Sequence, residues 1–280
     1  MKIGYNVATT KENATLQEEM ELCEKHGYDF IEIQMDKLPE YLKSHSLEEM
    51  KDFFDKHHIK PLSLNALQFF NNRTPKDYKL VLETFEEWLS IANYIGAQYI
   101  VVVPLVTNQK ILNKEIHESC VHVLKEFSNK ATQYNINVAL EFLGAPNATV
   151  NTLKQADAIV EEVNEKNIGL VLDFFHFHAM GSNITDLKKS TINNLFLLHI
   201  NDVDDYPIGI LTDEDRCFPG YGVIDIEGIL STLKEADFKG EFISIELFRP
   251  EYYKMKAEDV IVKSKNTMVD KIRPFFPVKA

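Results

Sequence analysis

The chain has 280 residues, 45% of them hydrophobic, a net charge of −13 and a sequence pI of about 5.2. That apolar content builds a large core without disulfides, and the acidic balance disfavours a nucleic-acid partner, whose phosphates call for a clustered basic face. No apolar stretch approaches the ~20 residues of a membrane span.

The N-terminus runs from Met1 straight into an apolar strand with no signal peptide, and Cys23, Cys120 and Cys217 lie far apart without a CxxC. Both features fit a protein of the reducing cytoplasm with buried or inert thiols.

Strand-like and helix-like segments alternate along the whole chain. Lys2–Val7 predicts a strand and Thr15–Gly27 a helix, opened by a capping box in which Glu18 stands three residues after Thr15. Tyr28–Met35 alternates apolar and polar residues as a second strand, and 46–58 repeats the capping box with Ser46 and Glu49. Lys60–Leu67 is the third strand. A long amphipathic helix follows from Pro75 to Ile95, with Pro at its start and Gly96 at its end. Gln98–Pro104 is the fourth strand.

The second half continues in the same alternation. Helices are predicted over 113–134, 152–163, around 184–190, over 226–236 and from 257 to about 273. Strands are predicted over 137–142, 169–173, 195–201 and 241–248. Eight strand–helix units imply a parallel sheet closed into a single (β/α)8 TIM barrel, an α/β fold that absorbs residues 1–280 as one domain. The competing doubly wound sheet lacks its signature, because Asn6-Val-Ala-Thr-Thr stands where a G-x-G-x-x-G turn belongs. The longest excursion, from Asn201 to Gly222, carries Arg216 and a Pro-Gly-x-Gly turn. It is a candidate substrate-covering segment on the catalytic face.

The chemistry lies at the strand ends. Ile168-Gly-Leu-Val-Leu-Asp173 is an apolar run that stops at an acid, followed by His176 and His178. Val138-Ala-Leu-Glu141, Leu195-Phe-Leu-Leu-His199 and Phe242-Ile-Ser-Ile-Glu246 have the same form. A carboxylate at the end of a buried strand needs a strong partner. Four such ends on consecutive strands predict a site for one divalent metal ion. Three carboxylates and one imidazole favour Mn²⁺, with Zn²⁺, Co²⁺ or Mg²⁺ as alternatives. Glu141 and Glu246 are the candidate proton carriers, His176 a donor to a substrate oxygen, and Arg216, Arg249 and Asn65 candidate substrate ligands. Gln34 and Glu32 are expected as polar lining, and His178 as local packing. No glycine-rich phosphate loop follows the last strands, so a polyol or keto-sugar substrate without a phosphate group fits better than a phosphorylated one.

Glu141, Asp173-x-x-His176, His199 and Glu246 resemble the metal-site pattern of the xylose isomerase-like TIM barrels. Longer stretches resemble the bacterial inosose isomerases (2-keto-myo-inositol isomerases) of myo-inositol catabolism. They include Leu22-Cys-Glu-Lys-His-Gly-Tyr-Asp29, Phe69-Phe-Asn-Asn-Arg73, Phe175-His-Phe-His-Ala-Met-Gly-Ser-Asn183, Leu211-Thr-Asp-Glu-Asp-Arg216 and Glu246-Leu-Phe-Arg-Pro-Glu-Tyr-Tyr-Lys254. The resemblance implies an isomerase that moves a carbonyl by one carbon through a cis-enediolate. A ketose 3-epimerase with the same site is the alternative. An endonuclease IV-like nuclease fits poorly, since Ser63-Leu-Asn65 and Val103-Pro-Leu lack the extra histidines of its metal cluster. Oligomeric state is open.

Overall fold

The eight apolar runs become parallel strands hydrogen-bonded edge to edge, so no edge is left unpaired. The computed structural model describes residues 1–278. The strands are β1 Lys2–Asn6, β2 Phe30–Gln34, β3 Lys60–Gln68, β4 Tyr99–Val103, β5 Asn137–Glu141, β6 Ile168–Asp173, β7 Leu195–Ile200 and, last in the barrel, β10 Phe242–Ile245. They close in the order β1-β10-β7-β6-β5-β4-β3-β2. The two remaining strands, β8 Asp202–Val203 and β9 Arg216–Cys217, form an antiparallel pair within the long excursion.

Two apolar layers result from the pleat. Ile3, Ile31, Leu140, Leu172 and Ile243 face outward against the surrounding helices. Phe30, Leu62, Tyr99, Val101, Ala139, Val171, Leu197 and Phe242 fill the barrel interior as a separate cluster. Strand side chains alternate faces, so the inward direction of Ala139, Val171, Leu197 and Phe242 recurs two residues on, and again at four.

The capping boxes at Thr15/Glu18 and Ser46/Glu49 form as the sequence predicts. Pro75–Ile95 has its predicted bounds, ending at Gly96 in the left-handed region with φ 87°. Three stretches differ. The last barrel strand stops at Ile245, because beyond it the ladder thins to a 3.4 Å bond from Glu246 N–H to the Ile200 carbonyl. The segment near 184–190 splits into a 3-10 turn, Ile184–Asp186, and a helix, Lys189–Asn193. Residues 174–179, outside every element the sequence predicts, form a helical turn, since the Asp173 side chain accepts the His176 N–H and caps it.

Candidate metal centre

The inward parity of the barrel interior delivers the site. Glu141, Asp173 and His199 lie two residues beyond Ala139, Val171 and Leu197, and Glu246 lies four beyond Phe242. All four are buried, and one ligand atom from each lies within 4.8 Å of the others. His199 Nδ1 stands 2.9 Å from Glu141 Oε1, 3.3 Å from Glu246 Oε2 and 3.9 Å from Asp173 Oδ2. The other ring nitrogen, Nε2, is 3.2 Å from Glu32 Oε1.

Asp173 is held from three directions. One oxygen caps the 174–179 turn, and the other accepts from Asn201 Nδ2 and Arg216 Nη1, each at 2.8 Å. Arg216 is 1% exposed, donates also to Glu246 Oε2 at 3.1 Å, and packs its guanidinium against the rings of Phe175 and Phe248. Glu246 Oε1 accepts from Asn6 Nδ2 at 2.8 Å, and Asn6 Oδ1 in turn accepts from Gln34 Nε2 at 3.0 Å.

These contacts shape the electrostatics. Burial pushes the Glu141 carboxyl above the usual range, with Glu246 adding to it against the pull of His199. Burial acts on Asp173 in the same sense, but Arg216 first, then His176 and His199, outweigh it and hold its pKa down. The imidazole of His199 is desolvated, yet Glu32, Glu246 and Glu141 raise its pKa well above the ordinary value.

The donor set fits a divalent ion. Four buried carboxylates, Glu32, Glu141, Asp173 and Glu246, meet one permanent cation within ion-pair distance among the described residues, Arg216. Buried carboxylates in excess of their cations are costly, and a doubly charged ion held by these side chains would offset the imbalance.

A cavity of about 710 Å³ opens above the centre. Glu141, Glu246, His176, Arg216, Gln34 and Asn65 line it, whereas Asp173 and His199 lie beneath. Asn65 is 3% exposed, and its Nδ2 has no hydrogen-bond partner. Gly144 N–H donates to Nδ1 of His176 at 2.9 Å, which leaves the ring proton on Nε2. Arg216 Nη2 stands 3.1 Å from that nitrogen, so two donors converge where a single acceptor oxygen would serve both.

Three expectations meet a different placement. Arg249 lies outside the cavity, its guanidinium turned to Asp204 at 2.9 Å and Glu251 at 3.2 Å. Glu32 is not cavity lining but is buried in the barrel against His199. Of the long excursion, only Asp213 and Arg216 reach the cavity, because the β8–β9 pair draws Arg216 inward to its base. His178 packs locally, half-buried, with burial lowering its pKa.

Asn6 and Asn201 went unassigned in the sequence. Their signal was present. Asn6 ends an apolar strand in the same way as the runs that end in Glu141, Asp173, His199 and Glu246, and Asn201 lies two residues past His199 at the end of another.

Residues 20–270 match the family described as xylose isomerase-like TIM barrel. The chain is 54% identical to the inosose isomerase of Halalkalibacterium halodurans, over 100% of this chain and 99% of that one. It is 54% identical to the inosose isomerase of Bacillus subtilis, over 99% of both. Its structure superposes with a TM-score of 0.97 on the crystal structure of the IolI protein with a bound zinc atom, at 54% identity over 99% of each chain.

Proposed function

This chain belongs to the inosose isomerases of the xylose isomerase-like TIM barrel family and is an isomerase, and we propose that it interconverts the keto-inositols scyllo-inosose and 1-keto-D-chiro-inositol through a cis-enediolate, with a divalent metal ion held by Glu141, Asp173, His199 and Glu246. The observation that carries this reading is the convergence of those four buried side chains at the floor of a cavity large enough for a cyclic polyol. When bound, the ion supplies Lewis-acid stabilisation to a ketone oxygen and its neighbouring hydroxyl, acidifying the C–H between them.

The chain's own groups do the rest. Glu141, ending β5, and Glu246, following β10, approach the cavity from opposite sides of β6 and β7. One removes the proton from the carbon bearing the hydroxyl and the other returns a proton to the former carbonyl carbon, while the hydroxyl's own proton passes to the former carbonyl oxygen, so the carbonyl moves by one position. His176 Nε2–H and Arg216 Nη2 donate to a substrate oxygen, and Asn65 Nδ2 to a ring hydroxyl. Asp173, held down by Arg216, remains an ionised ligand throughout.

Mn²⁺ is the proposed ion, on the strength of three oxygen-donor side chains to one nitrogen, and zinc is the ion in the IolI crystal structure. Residues 1–280 act as one barrel domain in this reading, in the cytoplasm and within inositol catabolism, without a nucleic-acid partner. No described helix is long and apolar enough to cross a membrane. A coupled assay offering scyllo-inosose, fructose, tagatose and hydroxypyruvate in parallel, with and without Mn²⁺, tests the reading. Turnover of scyllo-inosose alone, dependent on Mn²⁺, is expected; preferential epimerisation of fructose or tagatose would replace it with a ketose 3-epimerase.

A further inference from the structure

We propose that Glu32 is a positioning residue that sets the metal affinity of the centre, by accepting the Nε2–H of His199 and so leaving Nδ1 as the nitrogen that coordinates an ion alongside Glu141, Asp173 and Glu246. The proposal rests on the metal reading of those four residues given above.

Glu32 is fully buried in the barrel interior, two residues beyond the inward-facing Phe30, and does not line the cavity. A carboxylate in that position needs a reason, because it meets no lysine or arginine at ion-pair distance among the described residues. Two partners fix its place, and the Ser244 hydroxyl also helps to stabilise its charged form. Ser63 Oγ, from the paired strand β3, donates to Oε2 at 2.6 Å, and the register that sets Glu32 opposite Ser63 fixes the carboxylate in place. The other partner is His199, whose Nε2 lies 3.2 Å from Oε1 and 3.4 Å from Oε2. Oε1 has no hydrogen bond besides that approach.

The imidazole therefore has one nitrogen facing a single carboxylate and the other facing three. A metal-bound imidazole carries one N–H, and the side that holds that proton decides which nitrogen coordinates. A proton on Nε2 satisfies Glu32 and leaves Nδ1 as the donor atom at the centre. The opposite tautomer leaves the Glu32 carboxylate facing a bare lone pair and the metal side facing an N–H. A carboxylate bonded to the remote nitrogen of a ligating histidine fixes both the tautomer and the ring's orientation, and its loss typically weakens metal binding about 10–100-fold.

The experiment measures Mn²⁺ affinity by titration calorimetry, or by competition with a fluorescent chelator, on the metal-free wild type, Glu32→Gln and Glu32→Ala. Circular dichroism checks the fold of each. In parallel, ¹⁵N-edited NMR of the Zn²⁺-loaded wild type locates the ring proton of His199. The expected results are a dissociation constant raised about tenfold or more in Glu32→Ala, a smaller rise in Glu32→Gln, whose amide oxygen still accepts, and the proton on Nε2. Folded variants that bind Mn²⁺ within twofold of wild type, or a His199 that coordinates through Nε2, overturn the proposal while leaving the metal reading intact. If Glu32→Ala does not fold, Glu32→Gln and the wild-type tautomer decide. A wild type that binds no divalent ion brings down the metal reading itself, and this proposal with it.

Discussion

Asn6, the last residue of β1, donates its side-chain amide to Glu246 Oε1 at 2.8 Å across 240 residues of sequence. The first and last barrel strands pair directly, so closure of the barrel lets the start of the chain orient the glutamate near its end. Asn6 is itself fixed by Gln34, which donates to its oxygen, and by the Ala8 N–H that it accepts. With Oε1 occupied by Asn6 and Oε2 by Arg216, the rotamer of Glu246 is set before substrate arrives. Asn6→Ala is expected to lower turnover, with less effect on the substrate KM, and by less than loss of the Glu246 carboxylate itself. Steady-state kinetics at saturating Mn²⁺ check it; an unchanged kcat assigns Asn6 to folding alone.

Glu246→Gln separates ligation from proton transfer. The amide keeps a coordinating oxygen but cannot exchange a proton, and general acid–base groups contribute typically about 10²–10⁴-fold. Turnover is expected to fall by that range at saturating metal while substrate affinity changes far less. Exchange of the substrate's α-hydrogen with D₂O, followed by NMR, reports each half-reaction separately. Glu141→Gln and Glu246→Gln should each suppress isomerisation, with one of them retaining slow exchange at the carbon served by the surviving carboxylate. Near-normal isomerisation by metal-loaded Glu246→Gln would leave that residue a plain ligand.

Removal of the metal should separate activity from folding. The apolar barrel interior and the strand–helix layer are complete without an ion, so chelation is expected to abolish turnover and leave the far-UV circular dichroism nearly unchanged. Re-addition of one equivalent of Mn²⁺ should restore activity. Loss of the helical signal on chelation would mean that the centre holds the barrel together.

Asp202 anchors the long excursion. Its buried carboxylate accepts the N–H groups of Gly220, Gly222 and Ile224, each at 2.9 Å, and a side chain at Gly222 would strike the Val203 carbonyl oxygen at 2.1 Å. Asp202→Ala leaves these three donors and the Val203 N–H without their acceptor and is expected to destabilise the chain by about 1–3 kcal/mol. Faster proteolytic cleavage within 204–222 and a raised substrate KM should follow, since Arg216 belongs to this segment. Unaltered proteolysis would show that the β8–β9 pair holds the segment by itself.

Glu19 gives a pH signature remote from the centre. Burial outweighs the nearby Lys37 ammonium and the Thr10 hydroxyl, and pushes its carboxyl from 4.5 up to about 8. The folded state then keeps a proton that the unfolded chain has released. The folded pKa is the higher one, so stability falls as pH rises from about 4.5 to about 8 and levels off above. A shift of that size caps the effect at about 5 kcal/mol. Denaturant unfolding of wild type and Glu19→Gln at pH 5, 6.5 and 8 checks the sign: the wild type should lose ground to the variant with each step. A difference independent of pH would show that Lys37 keeps Glu19 ionised.

The sequence by itself determined what depends on near neighbours. The eight strand–helix units, the caps at Thr15, Ser46 and Gly96, and the apolar runs ending in Glu141, Asp173 and His199 are patterns within a few residues, and each is visible as written. Because strand side chains alternate, the inward parity that brings Glu141, Asp173, His199 and Glu246 together was also implicit in those runs. Only the tertiary structure decided which polar groups meet across the barrel. It put Glu32 against His199, 167 residues away, and Asn6 against Glu246. It buried Arg216 between Asp173 and Glu246, and turned Arg249 to Asp204 instead of the cavity. The physical reason is that a long polar side chain takes whichever partner closure leaves within about 3 Å, and a local pattern carries no record of that distance.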